Sequence, residues 1–154
     1  MKKQFMIAAI GWLAINNSAN SLELISPHPS LKPENVIEIQ LQSLQKNNEP
    51  SHDAGIIQTW IFAHPSNKLM TGPIERFALM MKNQNYKNIL YHRNHEIEPV
   101  FKTYNRAQFA VTITTSDGKK MTFKWELQKV KKGEFSGSWM TTSVSPPLLT
   151  ENGL

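Results

Sequence analysis

The chain has 154 residues, 40% apolar and 19% charged, which suits one globular domain and is too short for two with separate cores. Its formal charge of +5 is spread along the chain with no basic stripe carrying aromatics, so nucleic-acid binding is not expected. Cysteine is absent, which excludes disulfides and a lipid-anchoring thiol and leaves the core alone to hold the fold.

Residues 1–21 read as a cleavable signal peptide. Lys2 and Lys3 supply the positive start, and "FMIAAIGWLAI" (5–15) is an apolar run too short to span a bilayer. Ala19 and Ser21 fit the small-x-small rule, which places cleavage after Ser21. Export is the expected route, to the periplasm in a bacterium with two membranes. Losing Lys2 and Lys3 lowers the formal charge to +3. Residues 22–31 are then a leader and 145–154 a tail, around one domain over 32–144.

That domain opens with a helix over 32–47, with Pro33 at its first position and Val36, Ile37, Leu41 and Leu44 on one stripe. A second helix is expected over 54–64, with Asp53 as its cap and Pro65 as its stop. A third follows over 72–83, where Ile74, Phe77, Ala78 and Met81 repeat at helical spacing. After Tyr86 the period becomes alternating. Strands are predicted over 94–103, 107–115, 121–129 and 137–144, the first an edge strand because Pro99 cannot donate to a ladder. Between the middle two, Asp117-Gly118 tempts a two-residue turn, but that would set Val111 against Lys124. A three-residue loop of Ser116, Asp117 and Gly118 instead pairs Ile113 with Met121, Val111 with Phe123 and Phe109 with Trp125, apolar against apolar. The fold class is α+β: three N-terminal helices on a curved antiparallel meander of about four strands.

Three segments carry a resemblance: "SHDAGIIQTWIFAHPSNKLMTGPIERFALMMKN" (51–83), "LYHR" (90–93) and "FSGSWMTTSV" (135–144). Together they resemble a bacterial and plastid family known as a domain of unknown function, over roughly residues 33–144. Its most specific positions are Ala63, Pro65, Asn67, Thr71, Gly72, Pro73, Arg76 and Phe77, the pair His92-Arg93, and Trp139, Met140 and Thr141. Family members often carry Cys before that Trp and Asp after that Thr; here these are Ser138 and Thr142, so a role needing a thiol or carboxylate there is missing. The element order also resembles the NTF2-like (cystatin-like) cone fold. That superfold implies an isomerase, a dehydratase, a small-molecule binder or a protein-interaction module, and fold alone does not choose among them.

The densest cluster of reactive side chains is "ILYHRNHE" (89–96). Read as extended backbone, it puts Tyr91, Arg93 and His95 on one face and His92, Asn94 and Glu96 on the other, so the two histidines do not meet. A zinc site needs three or four converging ligands, so no metal is expected. His92 is the one catalytic candidate, as an acid or base in the cone. Arg76 and Arg93 read as structural anchors, Arg93 toward Glu75, Glu96 or Glu98. Most carboxylates are poorly placed for catalysis: Asp117 is in a turn, Asp53 near a cap, Glu126 on a polar strand face, and Glu34 and Glu38 at or off the helix stripe, which leaves Glu75 and Glu96 as the acids open to such a role. Trp60, Phe77, Met81, Tyr91, His92, Phe109, Phe123, Trp125, Trp139 and Thr141 either wall a ligand pocket or fill the core. The expected function is non-catalytic binding, without cofactor, of a small apolar ligand or a protein partner. The alternatives are a cofactor-independent lyase or isomerase using His92, and a homodimeric structural module.

Overall fold

The computed structural model describes residues 23–148; the segment 1–21, expected from its sequence to be a signal peptide, and the last residues of the tail lie outside the described residues. The helices come first: α1 (Pro33–Gln45), α2 (Ala54–Ile61), α3 (Pro65–Thr71) and α4 (Ile74–Met81), then a 3-10 turn over Lys87–Ile89. The strands β1 (Asn94–Lys102), β2 (Arg106–Thr114), β3 (Lys120–Lys129) and β4 (Trp139–Val144) form an antiparallel meander in the order β1-β2-β3-β4. The protein is therefore α+β. Alternation along β2 buries Ala107, Phe109, Val111 and Ile113 under the helices. The same rule leaves Gln108, Thr112 and Thr114 on the outer face, where Thr112 and Thr122 hydroxyls meet at 2.9 Å.

The central hairpin has the three-residue loop. Ile113 faces Met121, Val111 faces Phe123 and Phe109 faces Trp125. Thr115 N–H donates to Lys119 O at 2.7 Å, and Gly118 takes φ +89°, a conformation that only a residue without Cβ adopts freely.

The helices differ from expectation in three places. The helix expected over 54–64 ends at Ile61, because the chain turns out to pair with β4. Thr141 N–H donates to Phe62 O at 2.9 Å, and His64 N–H donates to Thr141 O at 2.8 Å. Pro65 then starts a fourth helix, α3, at the position where its missing N–H costs nothing. The helix expected over 72–83 runs only from Ile74 to Met81, with Pro73 as the residue before its first turn. Lastly, Asp53 sits before α2 but does not cap it. Its carboxylate bonds Lys82 and Asn47, and the buried Asn47 does the capping. Asn47 O accepts from Gly55 N–H, and Asn47 Oδ1 accepts from Ile56 N–H, both at 2.9 Å. The leader also docks: Ile25 N–H donates to Gln58 Oε1 at 2.8 Å, and Gln58 Nε2 donates to Ile25 O at 2.7 Å.

Candidate functional site

Short helices joined by tight turns do not cover a twisted sheet evenly. Beside β4, the space under α2, α3 and α4 holds a cavity of about 250 Å³. Its wall is apolar and rich in methionine: Ala63 from the α2–α3 link, Met70 from α3, Phe77, Met80 and Met81 from α4, and Val144 from β4. Methionine side chains are unbranched and polarisable, so such a wall adapts to differently shaped guests. The volume exceeds the ~150 Å³ of an engineered apolar cavity that binds benzene.

The floor is polar and fully buried. Gln40 Oε1 accepts from the Thr141 hydroxyl at 2.7 Å and from the Trp125 indole N–H at 3.2 Å. Gln40 Nε2 donates to Thr59 O at 3.1 Å. These partners dictate the amide orientation: an indole N–H can only donate and a carbonyl can only accept. Near the rim, Asn67 Nδ2 donates to Thr141 O at 3.1 Å. No lysine, arginine, histidine, aspartate or glutamate is among the described residues that line the cavity.

The histidine cluster lies elsewhere and is built differently from the sequence expectation. His92 Nε2 and His95 Nδ1 are 2.8 Å apart, so the two histidines do meet. The alternation rule fails because residues 91–93 are not a strand. Tyr91 has φ +60°, following the 3-10 turn, and β1 begins only at Asn94. His92 Nδ1 donates to Ile89 O at 2.6 Å, which places a hydrogen on that nitrogen, and its Nε2 meets His95 Nδ1. His95 Nε2 reaches both carboxylate oxygens of Glu38 at 3.0 Å. Glu38, expected at or off the helix stripe, is the acid that meets this pair. The result is a line of bonds tying α1 to β1. Both His92 nitrogens are occupied and neither faces the cavity. Among the described residues, no group of three His, Cys, Asp or Glu side chains is placed to hold a metal ion.

Burial holds His92 below the ordinary histidine range; the nearby His95 adds to this, while Ile89 O and Glu38 act in the opposite direction. Burial lowers His64 as well. The neutral rings are thus the ones the fold accommodates. Their contribution is complete above the unfolded pKa of about 6.5 and is lost as pH falls through the folded value. Urea unfolding midpoints are therefore expected to hold between pH 8 and 7 and to drop from pH 6.5 to 5. His92→Gln should flatten that drop, and an unchanged slope would contradict the assignment.

Of the residues singled out from sequence, Phe77, Met81, Trp125 and Thr141 line the cavity. Phe109 and Phe123 are buried in the core. Trp60 packs on Phe77 at 5.1 Å, with Lys68 Nζ 5.4 Å from its ring centroid. Trp139 is buried with Lys129 over its ring, and Tyr91 is exposed. Arg76 and Arg93 are exposed and make no ion pair among the described residues; Arg93 is held by its backbone, whose N–H donates to Thr114 O at 2.7 Å. Gln40 was missed, although a polar residue inside the stripe of Val36, Ile37, Leu41 and Leu44 is its own signal. Asn67 stood out only as a position of the resemblance, with no role attached, and Met70 had no signal, since α3 itself was not expected. Among the described residues no helix is long and apolar enough to cross a membrane. Family models, characterised proteins and solved structures give no match to this chain.

Proposed function

We propose that this protein is a binding domain for a small, mainly apolar ligand held between the helices and β4. The observation that carries the reading is the cavity of about 250 Å³, with a methionine-rich wall and a buried, hydrogen-bonded polar floor. Such an arrangement matches the general form of small-molecule sites, apolar walls with a few placed polar groups. The outer sheet face is a weaker docking surface, because Gln108, Thr112, Thr122, Lys124 and Glu126 make it polar. A cystatin-like cone, which leaves a cavity between helices and curved sheet, agrees with this reading. So does an exported chain that gathers its ligand outside the cytoplasm.

The test uses toluene as probe and the methionine methyl groups as reporters. With ¹³C-methyl-labelled protein, toluene should move the Met70, Met80 and Met81 signals along saturable curves and leave Met121 and Met140 still. Val144→Phe, at a half-buried lining position, should weaken the effect at least tenfold. If those three methyls do not respond at toluene saturation, the binding reading is wrong.

A further inference from the structure

We infer that the ligand is an uncharged molecule whose one essential polar group is a hydrogen-bond acceptor, with the chemistry of a ketone, ester or amide carbonyl. This rests on the cavity being a ligand site and concerns what it selects.

The first observation is the lining. Apart from the apolar wall, the described residues that contribute are Gln40, Thr59, Asn67, Thr71, Tyr86, Thr141, Thr142 and Ser143, all uncharged. A carboxylate or ammonium entering such a space would leave water and find no counter-charge, which is the costliest kind of burial.

The second observation is the hydrogen-bond count on the floor. Gln40 is 1% exposed, and its orientation is dictated by Trp125, Thr141 and Thr59. Its oxygen already accepts two bonds and is spent. Its Nε2 carries two hydrogens, of which one goes to Thr59 O; the other has no protein partner among the described residues. The Thr141 hydroxyl hydrogen is committed to Gln40 and the single indole hydrogen of Trp125 is shared between Gln40 and Thr141. The floor therefore has one amide N–H left to give. At the rim the Asn67 amide repeats the pattern: one N–H goes to Thr141 O and the second has no protein partner among the described residues. The lining hydroxyls of Thr59, Thr71 and Tyr86 keep acceptor lone pairs, but each oxygen already makes a bond, whereas the two amide hydrogens are wholly unbonded. The unmet demand is for an acceptor, and that is the complementary ligand group. A buried donor left unpaired is unfavourable, so a carbonyl gains from meeting it while a plain hydrocarbon does not.

The experiment titrates the full chain, at pH 7, with heptan-2-one, heptanoate, heptylammonium and toluene. Heptan-2-one should bind, and the two ions should bind at least 100-fold more weakly. Carbonyl-labelled [2-¹³C]heptan-2-one should keep its bound resonance at or downfield of the value in water, as an accepted N–H requires. In Gln40→Met the affinity ratio of heptan-2-one to toluene should fall about tenfold, the weight of one neutral hydrogen bond. Should that variant not fold, Asn67→Ala and the carbonyl resonance in the unsubstituted chain still decide. Heptanoate or heptylammonium binding as well as the ketone would overturn the inference. So would a bound carbonyl resonance shifted upfield toward its hydrocarbon-solution value. Toluene binding without any ketone preference overturns the ligand class alone; failure of every probe, toluene included, overturns the cavity reading beneath it.

Discussion

Replacing Gly55 by alanine should destabilise the protein by about 3 kcal/mol, at the upper end of the cost of overpacking. Helix propensity alone predicts the opposite sign, since alanine for glycine inside a helix gains about 1 kcal/mol. Contact geometry decides against it. A β-carbon on Gly55 would stand 2.1 Å from Ser43 O, 2.7 Å from Ser43 C and 2.9 Å from Asn47 Cα. All three are backbone atoms, so no side-chain rotation relieves the clash; α1 and α2 would have to separate. Separation would also stretch the bonds that Asn47 makes to Gly55 N–H and Ile56 N–H. Gly133 is the comparison. Nothing lies within 4 Å of a β-carbon there, and only its φ of +94° penalises alanine. Gly133→Ala should cost about 1 kcal/mol from backbone strain alone. Urea unfolding of both variants checks the pair. A Gly55→Ala protein as stable as the parent would mean the two helices are further apart than described.

Trp125→Ala should cost about 4 kcal/mol, within the range for deleting a large buried aromatic. Trp125 is 2% exposed, pairs with Phe109 across the sheet and forms part of the cavity floor. Trp125→Phe separates its two roles. Phenylalanine keeps most of the packing and removes the indole N–H, while Gln40 Oε1 still accepts from Thr141. Its expected cost is about 1–2 kcal/mol, one hydrogen bond and a small loss of volume. If alanine costs no more than phenylalanine, the side chain is not packed as described. Thermal and urea unfolding together give the comparison.

How much of this was legible in sequence depends on which kind of rule applied. The hairpin register followed from local chemistry, because apolar side chains at every second position of β2 and β3 admit only one pairing that keeps both sets inside. The His92–His95 contact did not, because alternation presumes extended backbone and Tyr91 breaks it with a positive φ. Glu38 was equally invisible: it meets His95 across the α1–β1 junction, where no periodicity reaches. The restart at Pro65 was hidden because a proline that ends one helix and a proline that begins the next read alike until the intervening residues are seen bonding to β4.

The sequence by itself determined that helices precede the strands, the α+β class, the apolar faces and the register of the central hairpin. These rest on side-chain periodicity and turn residues, which act within a few positions along the chain. Only the tertiary structure decided that Phe77, Met81, Trp125 and Thr141 border a cavity while Phe109 and Phe123 fill the core. The same holds for Gln40, whose two oxygen-bound donors come from residues far along the chain. Whether space between helices and sheet is filled depends on side chains brought together from distant segments, and no local pattern encodes that sum.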